Sequence, residues 1–298
     1  MAAIEVRDLF KNYKTTPALQ GVSLSVEQGE IYGFLGQNGA GKTTLVKILL
    51  SLVRASGGTA SLLGREVPNV ASRERVGYLP EDHRFPDYHT AASLLDFLGA
   101  LSGMPLADRR RRIPEALDQV ALLPHRDQKI RTFSKGMRQR LGIAQAVLHD
   151  PEVVFLDEPT DGVDPIGRKN IRQQILDLKS RGKTVFINSH LLGEVEMICD
   201  RVAILSKGRL LREGRVVDLT RSVNAWEIRV EGRIPDETMG EIRKAFPEVK
   251  AVRGGLDAEL PDAASLNRLI DFLRARGLLI VHVASATLED VFMRVVQE

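Results

Sequence analysis

A chain of 298 residues, 43% hydrophobic and 27% charged, can bury a sizeable core and has room for a main domain plus a smaller one. A formal charge of +3 and a pI near 9.0 are too mild at this length to argue for a nucleic-acid partner, and a basic face toward acidic lipid is equally allowed. The single cysteine, Cys199, excludes an internal disulfide and a cysteine-built zinc or iron-sulfur centre within one chain; it reads as a small buried apolar side chain in a reducing compartment.

The start, MAAIEVRDLFKNYK, lacks the apolar core of a secretory signal. No apolar run approaches the roughly 18 residues that span a bilayer, so a cytosolic chain tethered through another protein is expected. IYGFLG (31–36) reads as a strand running into a glycine loop and then a helix, KTTLVKILLSLV. Residues 83–130 break the βα rhythm and read as an inserted helical subdomain extending to about residue 140, with the run Arg109 to Arg112 as a solvated helix face. TFSKGMRQRL (132–141) reads as a loop entering a helix, with Ser134 and Gly136 where first-turn N–H groups are unpaired and available to an anion. VVFLDEP (153–159) is an apolar strand ending in carboxylates. RKNIRQQILDLKSR follows as a helix with Ile171, Ile175 and Leu178 on one face, then the strand TVFINSH. These βα units predict an α/β domain with a mainly parallel sheet and polar residues at the strand ends.

A second domain is expected over 222–298, after a first spanning 1–221. AWEIRVE alternates with Trp226, Ile228 and Val230 on one side, and TMGEIRKAF carries Met239, Ile242 and Phe246 at helical spacing. VKAVRGGLDAEL reads as two strands around a Gly254-Gly255 turn, SLNRLIDFLRARG as a helix and LLIVHVA as a strand. The order βαββαβ is that of a ferredoxin-like α+β unit. A closing helix, TLEDVFMRVVQ, starts at Thr287 with Asp290 three residues on, close to a capping box.

The chemistry begins at Gly36. Gly36-Gln37-Asn38-Gly39-Ala40-Gly41-Lys42-Thr43, followed by Thr44, fits the P-loop pattern: small residues let backbone N–H groups close around phosphates, Lys42 reaches the β and γ oxygens, and the Thr43 hydroxyl ligates Mg²⁺. A bare carboxylate pair at a strand end is ordinarily just solvated. With a P-loop upstream, Asp157 becomes the metal holder and Glu158 the general base.

A P-loop alone leaves kinases, GTPases, helicases and transport ATPases open. GQNGAGKTT, YLPED, FSKGMRQRLGIAQA, VVFLDEPTDGVDP and NSH, in that order, resemble the ATP-binding cassette (ABC) family over roughly residues 2–215. The resemblance implies that two cassettes pair head to tail, so that Ser134 and Gly136 of one cap the γ-phosphate held by the P-loop of the other. It further implies that Tyr13 stacks on adenine, that Asp164 lies at the dimer seam, and that His190 contacts the γ-phosphate and helps Glu158 position water. Two departures stand out. Glu81 replaces the family's glutamine, which leaves it able to accept a hydrogen bond or ligate magnesium but not to donate. Lys135 and Met137 replace a glycine and the final glutamine of the signature.

The reading that follows is an Mg-dependent ATPase whose homodimer powers separate transmembrane permease subunits, with the helical insert after Glu81 receiving the membrane partner. The tail, ending in TLEDVFMRVV, resembles that of exporter ATPases of the daunorubicin-resistance type, which implies export and a place on the inner face of the cell membrane. The alternative is a soluble ABC-type ATPase acting on nucleic acid or in complex assembly. No nucleic-acid partner is expected, because the coiled coils, zinc modules or paired cassettes of such relatives are missing from the sequence.

Overall fold

The computed structural model describes residues 1–222, 224–252 and 254–297. It divides into two compact units, Met1–Glu213 and Gly214–Glu298, each with its own apolar core.

The first unit opens with β1 (Ala2–Tyr13), β2 (Thr16–Glu27), β3 (Ile31–Leu35) and α1 (Lys42–Leu49). Next come β4 (Gly57–Leu62), β5 (Arg65–Glu66) and β6 (Val76–Leu79), then three helices, α2 (Ala91–Leu101), α3 (Leu106–Gln119) and α4 (Lys135–Val147). The rest is β7 (Val153–Asp157), α5 (Pro165–Ser180), β8 (Thr184–Ser189), α6 (Leu192–Glu196), β9 (Arg201–Ser206) and β10 (Arg209–Arg215).

A six-stranded sheet has the order β10-β9-β3-β8-β7-β6, with β9, β3, β8, β7 and β6 parallel. β3, β7 and β8 are buried at every position, as expected for short apolar strands covered on both faces. Phe186 packs between Phe34 and Phe155, at ring centroid distances of 5.6 and 5.3 Å. An antiparallel sheet, β2-β1-β4-β5, adds its inner face to the same core. This sheet lies outside the βα units expected from the sequence, although the alternation of Val22, Leu24 and Val26, all buried, carries its signal.

The helical insert departs from expectation at the arginine run. Arg110 and Arg111 are exposed, but Arg109 donates to the Asp96 carbonyl at 3.0 Å and Arg112 to the Leu148 carbonyl at 3.0 Å. The helical period explains the split. Residues 109 and 112 share the face of buried Ile113 and Ala116, so their guanidinium groups reach partly buried carbonyls of neighbouring helices instead of facing water.

The second unit contains α7 (Val216–Ser222), β11 (Ala225–Val230), α8 (Asp236–Ala245), β12 (Val249–Val252), β13 (Gly255–Glu259), α9 (Ala263–Ala275), β14 (Ile280–Ser285) and α10 (Leu288–Gln297). Its antiparallel sheet runs β12-β13-β11-β14, which places the fourth strand of the βαββαβ unit beside the first, as in ferredoxin-like folds. Ile228, Met239, Ile242, Leu256, Leu269 and Leu273 form its core. Arg253, in the expected hairpin, lies outside the described residues. At α10 the aspartate serves as a full cap: Asp290 Oδ2 accepts from Thr287 N at 2.8 Å, and Asp290 N donates back to Thr287 Oγ1 at 3.4 Å.

Candidate functional site

Parallel strands bring their C-terminal ends to one edge. Leu35 lies beside Ser189, Asp157 beside Asn188 and Leu79 beside Leu156, so the segments after β3, β6, β7 and β8 all emerge there. A cleft of about 280 Å³ opens at this edge, lined by Tyr13, Ala18, Gln37, Asn38, Gly39, Gly41, Lys42, Thr43, Thr44, Glu81, Asp157 and Glu158.

The loop between β3 and α1 keeps its shape through glycine. Gly41 has φ +111°, and a Cβ there would lie 2.4 Å from the Ala18 carbonyl oxygen, so no other residue fits. Lys42 is buried and donates from Nζ to the Gly36 carbonyl at 2.6 Å. Burial lowers its pKa, while the carboxylates of Glu158, Asp157 and Glu81 pull the other way. Gly36 and Ala40 shape the loop without lining the cleft. Tyr13 is 44% exposed at the cleft's rim, with the Lys11 ammonium 4.9 Å from its ring centre.

Asp157 is almost fully buried. Its Oδ2 accepts from the Thr43 hydroxyl at 3.4 Å and its Oδ1 from Asn188 Nδ2 at 3.2 Å. Burial raises its pKa against the Asn188 hydrogen bond, and the negative charges of Glu81 and Glu158 raise it further. Tyr78 is pushed up to about 12 by burial and by the same negative charges of Asp157 and Glu81. Three carboxylates thus face one lysine, an excess that a cation relieves. Thr43 and Asp157 present the hard oxygens that Mg²⁺ takes, and the residues fit that ion. Among the described residues no group of three or more His, Cys, Asp or Glu side chains converges as a cage, so nucleotide and water would complete its coordination.

Glu158 sits in the left-handed region at φ +49°, an uncommon conformation for a side-chain-bearing residue and one associated with functional turns. Its Oε2 accepts from Ser189 Oγ at 3.2 Å and from His190 N at 3.3 Å, and Oε1 lies 2.9 Å from His190 Nδ1. Such a carboxylate is oriented toward the cleft and available to take a proton from water.

Ser134, Gly136 and Asp164 stand apart from the cleft lining. Ser134 caps α4 by accepting from Met137 N at 3.2 Å, and Asp164 caps α5 by accepting from Gly167 N at 2.9 Å. Sequence reasoning missed Ala18 at the cleft wall, as well as Asn188, Ser189 and Gln139, which hold Asp157 and Glu158. For Asn188 and Ser189 the available signal was two polar residues closing an apolar strand immediately before His190.

Comparison with known proteins gives the family and the fold. The ABC transporter family model matches residues 19–161. An uncharacterized ABC transporter ATP-binding protein of Synechocystis sp. is 42% identical over 304 residues, covering 99% of this chain and 85% of that relative. The chain belongs to the ABC transporter ATP-binding family. As an ABC cassette it binds and hydrolyses ATP. Nod factor export ATP-binding protein I of Burkholderia orbicola is 37% identical over 300 residues, with 99% of this cassette chain and 97% of that protein covered. A solved ATP-binding subunit of an ABC transporter matches with a TM-score of 0.67 at 29% identity, covering 74% of this chain and 92% of that one. A dimeric ATP-binding cassette in a post-hydrolysis state with ADP and Pi has a TM-score of 0.65 at 24% identity over 71% of this chain and 98% of that one, which establishes the shared fold.

Proposed function

We propose that two copies of this ABC cassette pair head to tail and hydrolyse ATP with Mg²⁺ to power transport, in the export direction, through separate membrane subunits. The observation that carries the reading is the division of the site. Lys42, Thr43, Asp157 and Glu158 line one cleft, while Ser134 and Gly136 lie at the start of α4 outside it, available to a second copy.

In this reading the loop N–H groups and Lys42 hold the β and γ phosphates, and Tyr13 stacks on the base. Thr43 and Asp157 hold Mg²⁺, with Glu81 as a further oxygen donor, and the ion when bound neutralises charge on the phosphate oxygens. Glu158 takes the proton of the attacking water, while His190 and Ser189 fix its carboxylate. Ser134 and Gly136 of the second copy close over the γ-phosphate, and Asp164 lies near the seam.

Export is favoured because the similarity to the Nod factor export protein runs through both units of the chain. Among the described residues no helix is long and apolar enough to cross a membrane. We place the chain at the inner face of the cell membrane, held there by its permease partner. The test is sedimentation of Glu158→Gln with Mg-ATP, combined with copurification of the wild type from membranes. An ATP-dependent dimer that copurifies with a polytopic membrane protein supports the reading. A chain that stays monomeric at saturating Mg-ATP defeats the shared site.

A further inference from the structure

α4 carries Lys135 and Gln139 four residues apart on one face. Lys135 Nζ donates to Asp161 Oδ2 at 3.0 Å, and Gln139 Nε2 donates to the Glu158 carbonyl at 3.3 Å. Those two acceptors are the ends of a single turn, closed by Asp161 N donating to the same Glu158 carbonyl at 3.2 Å. Gly162 keeps the lysine's path open: a Cβ there would lie 1.9 Å from Nζ and 2.9 Å from Cδ of Lys135, at a φ of +61°. Gln139 is buried, whereas Lys135 and Asp161 are 60% and 52% exposed at their side chains.

We infer that Lys135 and Gln139 are positioning residues that tie the start of α4 to the general base of the same chain, and thereby couple the two composite sites of the dimer. This rests on the shared-site reading. In that reading the start of α4 serves the partner's nucleotide, while Glu158 serves the nucleotide held by its own Lys42. A displacement of α4 on closing over the partner's phosphate therefore moves the turn that begins at Glu158. The left-handed backbone of Glu158 makes the carboxylate's aim depend on how that turn is held. An exposed ion pair alone is a weak link, but the buried Gln139 bond fixes the same turn at its other end. Held at two points, the turn cannot pivot about either one.

The test uses the full chain with Lys135→Met, Asp161→Asn and the exchanged pair Lys135→Asp with Asp161→Lys. ATP affinity, kcat, KM and the Hill coefficient of hydrolysis are measured for each. The single variants should bind ATP as the wild type does, lose about two- to thirty-fold in kcat, and fall toward a Hill coefficient of one; the exchanged pair should recover part of both losses. Gly162→Ala, which displaces the lysine without removing either charge, should behave like Lys135→Met. If Lys135→Met keeps the wild-type rate and Hill coefficient, the inference is overturned. It is overturned equally by a wild type without cooperativity, or by an exchanged pair that recovers nothing. The underlying reading has its own control: Glu158→Gln that fails to dimerise defeats the shared site, whereas a normal trapped dimer beside an insensitive Lys135→Met defeats the coupling alone.

Discussion

Glu158 and His190 meet at 2.9 Å, Oε1 to Nδ1, while the His190 main chain donates to the other carboxylate oxygen at 3.3 Å. One residue thus grips both oxygens of the base, and the Ser189 hydroxyl adds a third contact at 3.2 Å. A carboxylate held at both oxygens is fixed in direction, so in the proposed reaction the hold would supply aim as well as basicity.

Glu158→Gln keeps the size and part of the hydrogen bonding while removing the base. Hydrolysis should fall by about 10²–10⁴-fold with ATP binding retained. Single-turnover rates beside equilibrium nucleotide binding check this. An unimpaired rate would remove Glu158 from the role.

Asp157→Asn should abolish metal-dependent hydrolysis and stabilise the nucleotide-free fold. Burial raises the Asp157 pKa above its ordinary 3.8, so folding favours the protonated form. That favourable contribution is complete below the unfolded value and is lost as pH rises through the raised folded one. At neutral pH the ionised carboxylate therefore opposes folding, and asparagine, which can still accept from Asn188, relieves the opposition. The Tm at pH 7 should rise above that of the wild type, and the gap should close toward acid pH. Calorimetry across that range decides it.

The legible parts of this chain are those whose chemistry is local. The glycine loop and the carboxylates after β7 are contiguous in sequence, and each motif needs its residues at fixed backbone positions. The order of the tail strands was legible because alternation and helical spacing differ clearly between AWEIRVE and TMGEIRKAF. What stayed hidden depends on partners distant in sequence: Arg109 and Arg112 read as solvated until the carbonyls of α2 and the α4 end lie against them. Gln139 and Glu158 are 19 residues apart, and no local pattern announces their bond. In β1 the register shift between Val6 and Leu9 interrupts the alternation that marks a strand, so only the β2 run Val22, Leu24 and Val26 carries the pattern.

Residues 1–213 expressed alone should fold and bind ATP, because the first unit has a core of its own and retains the Tyr32, Arg201 and Glu213 contacts at its edge. Any loss should appear in association or transport. Circular dichroism and nucleotide titration of the fragment check this, and an unfolded fragment that does not bind ATP would contradict independence.

The sharing of one site by two chains can be read from mixed dimers. Ser134→Arg places bulk and charge at the helix start that should close on a phosphate, and Lys42→Ala removes the grip on the β and γ oxygens. Each homodimer should be nearly inactive, since the first lacks both caps and the second both grips. In the mixed dimer both lesions fall in the same composite site, because the defective α4 start of one copy faces the defective loop of the other. The opposite site keeps an intact Lys42 and an intact Ser134. Purified heterodimer should therefore occlude ATP, and it should hydrolyse in proportion to the heterodimer present unless turnover requires both sites in concert. Measuring occlusion beside turnover separates those two cases, since one intact site can trap nucleotide even when concerted turnover is blocked. Were the lesions confined to separate single-chain sites, mixing would give no occlusion beyond the average of the two homodimers, and that result would falsify the exchange of Ser134 between copies.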